Sequence, residues 1–412
     1  MAKGRKTARD MAAKAVVLKL LSRLKSGAVI IDDNGKRHLC GRPVPGEVIP
    51  KLKITSQSAW SEIAKHGSSG FGKAYISGWI DCENTDELTT FLRIIVRNLD
   101  QIERASTLTN KVTAPARAVL SKQHGKQDQK ERDKKNILAH YDLGNDIFES
   151  FLDETMSYSC ALFSSPKGSL AEAQKNKLDN ICQLLSISPA DHIVEIGAGW
   201  GSFAIYAARN YGCKVTTTTI SDAQFHYVKD KIRQYGLSEL ITPLNVDYRD
   251  LKGTYDKLVS IEMIEAVDWR LYETFFAKSA SLLKSDGMAV IQAIVISDQI
   301  FDRAKYSEDF IKRYVFPGSY IPSITALVNA ATSGSDMRLF SLRDIGTHYA
   351  QTLKKWRENI ELAGEKILNE KFGIEALRLF IFYFCYCEAG FAERRISDIQ
   401  AVFTKPRFRD QL

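Results

Sequence analysis

The chain has 412 residues, enough for two domains and a sizeable core. Its hydrophobic fraction of 44% and charged fraction of 26% are those of a folded globular protein and exclude wholesale disorder. The formal charge of +8 would suit an anionic partner, but no zinc-finger spacing or RNP-like aromatic motif supports nucleic acid.

Taken in chain order, the first element is basic. Between Lys3 and Lys25 the only acid is Asp10, and Val16, Val17, Leu20, Leu21 and Leu24 fall on one face of a helix. Two readings stay open: a helix lying on an anionic membrane surface, or one packed on the rest of the fold. A signal peptide is not expected, because Lys19 interrupts the apolar stretch and no small-residue cleavage site follows. "GAVIIDDNGKRHLCG" reads as a hairpin turning at Asp33-Asn34-Gly35. "PKLKITS" and "GFGKAYISGWIDCENTDELTTFLRIIVRN" follow as a short strand and an amphipathic helix. Residues 1–120 are thus expected to form a small α+β domain. The polar passage "SKQHGKQDQKERDKKN" at 121–136 reads as a linker, and 137–412 as a second domain.

From Ile137 onward, "HIVEIG", "KVTTTTI", "ITPLNV", "DKLVSIEM" and "MAVIQAIVI" are short apolar runs separated by helical spacings. The expected class is α/β, a parallel sheet covered on both faces, with its ligand at the carboxyl ends of the strands. The segment 298–335 is expected to cap that site, "LFIFYFCYCEAGF" from Leu379 to be a buried helix, and "ISDIQAVFTKP" to be a closing strand. The seven cysteines are scattered, as for reduced thiols in a cytoplasm. The lone C-x-C at Cys385 and Cys387 has no second pair, so no metal site is expected.

The chemistry concentrates after "HIVEIG". Gly197, Gly199 and Gly201 form G-x-G-x-G, whereas the dinucleotide fingerprint places its third glycine one residue later. No acid stands near the end of the second strand before Asp222, where a ribose-binding carboxylate is expected. S-adenosylmethionine is the common alternative to a dinucleotide. Glu195 can organise the loop or hold the cofactor ammonium. Thr219, Ile220, Ser221 and Gln224 can bind a ribose, and Asp247, Tyr248 and Arg249 lie where an adenine would rest.

Six motifs then occur in a fixed order: "HYDLGNDIFESFLDETMSYSCALF", "EIGAGWGSFAIYAA", "SIEMIEAVDWRLYETFF", "YVFPGSYIPS", "HYAQTLKKWREN" and "CYCEAGF". Together, over roughly 137–406, they resemble the cyclopropane-fatty-acyl-phospholipid synthase family, which includes the mycolic acid cyclopropane synthases. The resemblance implies a Rossmann-like, seven-stranded methyltransferase sheet with a helical cap and a small accessory amino-terminal domain. It implies methyl transfer from S-adenosylmethionine to the cis double bond of a phospholipid acyl chain, by a cytoplasmic enzyme peripheral on the inner membrane leaflet and compatible with a homodimer. The resulting carbocation requires a dry pocket and a base. That base is implied to be a bound bicarbonate held by Cys160, Glu265, Tyr349 and the backbone of Ile294.

Tyr158 and Ser159 are implied to contact the cofactor alongside the glycine turn. Cys387 matches a cysteine counted in the family's active site, although an alkene offers no electrophilic carbon to a thiolate. Gln292 departs from the prototype synthases, which have a histidine there, and glutamine cannot shuttle a proton. Ring closure is therefore weighed against methylene- or methyl-branched products, and both against a small-molecule methyltransferase. "FPGSYIPSI", with Phe316, Tyr320 and Ile321, is suited to covering an acyl tunnel.

Overall fold

β-Branched residues crowd "HIVEI", "KVTTTT" and "KLVSI", and such side chains suit a pleated surface better than a helix. Each of these runs is a strand. The computed structural model describes residues 8–102, 144–367 and 373–409 (the backbone alone at 365–367). The expected linker at 121–136 and the first seven residues lie outside the described residues. The chain divides into two units: 1–125 with Glu308–Pro317 and Leu353–Arg395, and 126–307 with Gly318–Thr352 and Ile396–Leu412.

In the first unit, α1 (Ala8–Leu21) buries Val17 and Leu21, with Leu24 just beyond. Its Lys14 hydrogen-bonds Asp33 and lies 5.7 Å from the centre of the Trp60 ring. Much of the helix's apolar face is therefore used inside the unit, which favours the packing reading over the membrane one, while Arg9, Lys19, Arg23 and Lys25 are exposed. β1 (Gly27–Asp33) and β2 (Lys36–Arg42) form the expected hairpin, with Asn34 and Gly35 both at positive φ, as a tight two-residue turn requires. β3 (Lys51–Ile54) runs parallel to β1 and β4 (Ile80–Cys82) antiparallel to β3, giving the order β2-β1-β3-β4. Helix α2 (Ser58–Ile76) went unread in the sequence because its glycines lower helix propensity, and the backbone breaks at one of them, Gly67. The expected amphipathic helix is α3 (Thr85–Arg97), capped by Asn84 and burying Leu88, Phe91, Leu92 and Ile94.

The second unit is built on a seven-stranded sheet in the order β10-β11-β9-β8-β5-β6-β7. Its strands are β5 (His192–Ile196), β6 (Lys214–Thr219), β7 (Ile241–Asn245), β8 (Tyr255–Ile261), β9 (Leu283–Ile296), β10 (Arg338–Asp344) and β11 (Ile396–Thr404). β5 to β9 pair in parallel, and β11 runs antiparallel between β9 and β10. β10 was not expected; its side chains are mostly exposed, so it carries little apolar signal. Helices α4 (Leu170–Leu184), α5 (Ser202–Tyr211) and α6 (Asp222–Gln234) cover one face, where Leu178, Phe203, Ala207 and Val228 share a core with Ile193 and Val290. α7 (Tyr272–Leu282) and α8 (Ile324–Gly334) cover the other, through Phe275, Phe276 and Leu327. Burying each of those phenylalanines contributes roughly 1.5–3 kcal/mol.

One expectation needs correction. The segment 298–335 is not one cap: Asp298–Ala304 and α8 belong to the second unit, while Glu308–Pro317 packs with the first. In this division Leu353–Arg395 also groups with the amino-terminal residues. A buried cation is among the contacts within this unit. Arg357, on helix α9 (Gly346–Ile367), donates to Glu388 on α10 (Gly373–Ala392) at 3.2 Å and to Asp86 and Thr85 in the first turn of α3. The run Phe380–Cys385 is the expected buried helix, and Phe382 packs edge-on against Phe310 at 4.5 Å.

Candidate active site

The loop after β5 owes its shape to glycines. Gly197 has φ +96°, and a Cβ there would stand 2.9 Å from Met263 Cγ in the facing wall. Gly201, at φ +86°, opens α5, and a Cβ there would meet Val228 of α6 at 3.1 Å. Gly201 therefore acts through helix packing and does not line the cavity.

A single concave pocket gathers most of the expected cofactor positions: Tyr158, Ser159, Glu195, Gly197, Gly199, Thr219, Ile220, Gln224, Asp247, Tyr248 and Arg249. At its base, Glu195 is buried and accepts a hydrogen bond from Thr217 Oγ1 at 2.5 Å. Burial pushes its carboxyl up to about 8, against the pull of that hydrogen bond and of Lys177. Thr219 Oγ1 donates to Gln224 Oε1 at 2.8 Å, which orients the amide NH2 of Gln224 as its remaining donor group. Asp247 holds Arg249 in a two-pronged pair at 2.8 and 2.6 Å. Phe275 braces the Tyr248 ring edge-on at 5.6 Å. A glycine cradle, a buried carboxyl, hydroxyl and amide groups and a braced aromatic face suit the ammonium, ribose and adenine of S-adenosylmethionine.

A second cluster lies behind one wall of this pocket. Glu262, immediately after β8, lines the cavity and has φ +49°, a left-handed conformation that costs a non-glycine residue about 1 kcal/mol. Its Oε1 accepts from the Cys160 amide at 2.7 Å and from Gln292 Nε2 at 2.8 Å, and its Oε2 from the Tyr349 hydroxyl at 2.6 Å. Gln292 Nε2 also donates to Asp398 on β11 at 3.0 Å. Glu265 Oε1 accepts from the Ile294 amide, and its Oε2 has no hydrogen-bond partner among the described residues. Burial, reinforced by the charge of Glu262, pushes Glu265 up to about 8. Burial likewise raises Glu262, and it raises Asp398 well above the carboxylate range with help from Glu262 and Glu265. The Cys160 thiol is buried, raised, and directed at the carbonyls of Ala161 and Ile345, so it is the amide of Cys160 that serves the cluster.

Cys160, Gln292 and Tyr349 thus meet at Glu262, and Ile294 meets Glu265; of these, Gln292 stands where the resemblance implies a histidine. Cys387 lies on α10 in the first unit, and burial raises its thiol away from the nucleophilic thiolate. The sequence reading missed Glu262 and Lys177. Lys177 is fully buried on α4, lines the pocket and donates to Ser159 Oγ at 2.9 Å. Its signal was available, since it interrupts the apolar stripe of Leu170, Ala173, Leu178 and Ile181. Glu262 had none, because a left-handed glutamate at a strand end cannot be read from spacing.

Comparison with known proteins agrees with this geometry. The family model for mycolic acid cyclopropane synthetase matches residues 128–401. The chain is 33% identical over 351 residues to the tuberculostearic acid methyltransferase UfaA1 of Mycobacterium tuberculosis, covering 83% of this chain and 80% of that protein. It is 30% identical over 372 residues to the cyclopropane-fatty-acyl-phospholipid synthase of Escherichia coli K12, covering 89% and 90%. The crystal structure of mycolic acid cyclopropane synthase CmaA1 complexed with SAH and CTAB matches with a TM-score of 0.61 at 27% identity, over 66% of this chain and 98% of that one. With the seven-stranded sheet and glycine cradle already in view, the chain belongs to the mycolic acid cyclopropane synthetase family and is an S-adenosylmethionine-dependent methyltransferase.

Proposed function

We propose that the enzyme methylates the cis double bond of unsaturated phospholipid acyl chains and that the product is a cyclopropane fatty acid. The observation that carries this reading is the buried cluster of Glu262, Glu265, Gln292 and Tyr349 directly behind the cofactor pocket. A methyl acceptor with its own lone pair needs no such arrangement, whereas a carbocation must be kept dry and then lose a proton. S-adenosylmethionine, when bound, supplies an electrophilic methyl group. The chain's own residues do the rest. Gly197 and Gly199 let the backbone approach the cofactor, Glu195 and Gln224 orient it, and Tyr248 and Arg249 flank its adenine. Ser159, anchored by Lys177, lines the same wall.

Tyr320 to Pro322 form the acyl-facing side in this reading. Tyr320 N donates to Glu265 O at 2.8 Å and Ile296 N to Pro322 O at 2.8 Å, which pins the loop beside the acid cluster. Reaching a bilayer acyl chain places the enzyme at the membrane surface. Among the described residues no helix is long and apolar enough to cross a membrane, so contact falls to exposed cations such as Lys19 and Arg23.

A second reading, a methylene- or methyl-branched product, is favoured by Gln292 and by the similarity to a tuberculostearic acid methyltransferase. Mass spectrometry of lipids from cells expressing the chain tests both. A product one CH2 heavier that resists mild hydrogenation is the ring; one that takes up hydrogen is the methylene. Absence of any heavier chain rejects the proposal.

A further inference from the structure

The base of this reaction is expected to be a bicarbonate seated on Cys160, Glu265, Ile294 and Tyr349, and the structure does not fit it. The Cys160 amide and the Tyr349 hydroxyl already donate to the two oxygens of Glu262, and the Ile294 amide donates to Glu265. An extra anion would have to displace the Glu262 carboxylate from its donors while facing Glu265 and Asp398. We propose that Glu262 itself is the proton acceptor, its carboxylate standing in the chain where a bound bicarbonate would otherwise be recruited.

This rests on the alkene-methylation reading above. Three properties support it. Glu262 is the one carboxyl of the cluster that lines the cofactor pocket. One of its three donors is itself oriented by a relay: Asn180 Nδ2 donates to Gln400 at 2.7 Å, Gln400 Nε2 to Gln292 Oε1 at 3.0 Å, and Gln292 Nε2 to Glu262. The glutamine therefore presents its NH2 group to the carboxylate and fixes it, a task for which a proton-carrying side chain is unnecessary. Finally, burial raises all three carboxyls, but Glu262 is the one that accepts three hydrogen bonds, each of which favours its charged form.

The step balances. Methyl transfer uses the alkene π pair to form the new C–C bond and leaves a cation on the adjacent carbon. For the methylene product a hydride first shifts from the methyl-bearing carbon to the cationic one, whereas for the ring the cation stays where it formed; in both cases a C–H bond of the newly transferred methyl group then breaks. Its electron pair stays with the lipid, closing the ring or forming an exocyclic double bond, and its proton goes to Glu262. Neutral Glu262 returns that proton to solvent when the product leaves.

The test uses the full-length protein in CO2-stripped buffer with vesicles of unsaturated phospholipid. Wild-type turnover is expected to be unchanged by bicarbonate, and calorimetry with bicarbonate alone to show no binding. Glu262→Gln should lose at least about 10²-fold in turnover while binding S-adenosylhomocysteine within about threefold of wild type. Glu262→Gly suits the positive φ and opens the niche, so it should bind bicarbonate by calorimetry and recover turnover when bicarbonate is added. Bicarbonate binding to the wild type, slowing of the wild type on CO2 removal, or a near-normal rate for Glu262→Gln would each overturn the inference. A wild type that never yields a one-carbon-heavier lipid would instead overturn the function itself, and the bicarbonate calorimetry would still decide which anion the niche holds.

Discussion

Glu195 and Glu265 are acids that the fold holds in the wrong protonation state for water. Both are pushed up to about 8 by burial, from 4.5 in an unfolded chain. Below pH 4.5 both are protonated in either state, and stability is unaffected. As the pH rises from about 4.5 to about 8, the unfolded chain releases protons that the folded protein keeps, so folding stability falls; above 8 it levels off. Glu195→Gln should flatten this decline, by a few kcal/mol at most over the window, in urea denaturation at pH 5 and pH 9. An unchanged slope would mean that Glu195 is hydrated and not buried. Glu265 acts on β9 through one hydrogen bond. Glu265→Ala leaves the Ile294 amide without its acceptor and should cost about 1–3 kcal/mol, whereas Glu265→Gln, which keeps an oxygen there, should cost less than half as much.

At the scale of elements, the loop between β5 and α5 is the most exacting. Gly197→Ala adds a Cβ at φ +96° that collides with Met263, so affinity for S-adenosylhomocysteine should fall at least about tenfold by calorimetry, the fold remaining intact by circular dichroism. Helix α1 makes the opposite case. With Val17, Leu21 and Leu24 buried, deleting the helix would open the core of its unit and test nothing about membranes. Reversing the charges of Lys19, Arg23 and Lys25 leaves that core untouched. The triple variant should sediment less with anionic vesicles, most clearly at low salt, where surface charges act over longer distances. Equal sedimentation at low salt would remove α1 from membrane contact.

At the scale of the whole molecule, the chain crosses between its units more than once, and Arg357 shows what ties the late segment to the early one. Arg357→Met leaves Glu388 buried without its cation and should destabilise the first unit by about 3–5 kcal/mol. Hydrogen exchange should then show α1–α3 and α10 losing protection together, while β5, β8 and β9 keep theirs. Equal loss in both sets would mean that the units unfold as one.

Much of this architecture was legible from local pattern. The alternation of apolar, β-branched runs with helical spacings marked the strands from β5 to β9 in order, because strands of a sheet covered by helices are rich in such residues. The glycine turn and the polar ends of β6 and β7 marked the cofactor pocket, because these positions follow one another along a few short segments. What periodicity could not convey was contact between residues far apart in the chain. Glu262 receives hydrogen bonds from residues 102, 30 and 87 positions away, and only the folded sheet brings those donors to one carboxylate. The sequence by itself determined the class of fold and the residues gathered in the candidate cofactor pocket, since both are written in local spacing. The tertiary structure alone decided which acid meets the donors, because burial and hydrogen bonding across the sheet, and not residue identity, set the charge of each carboxyl.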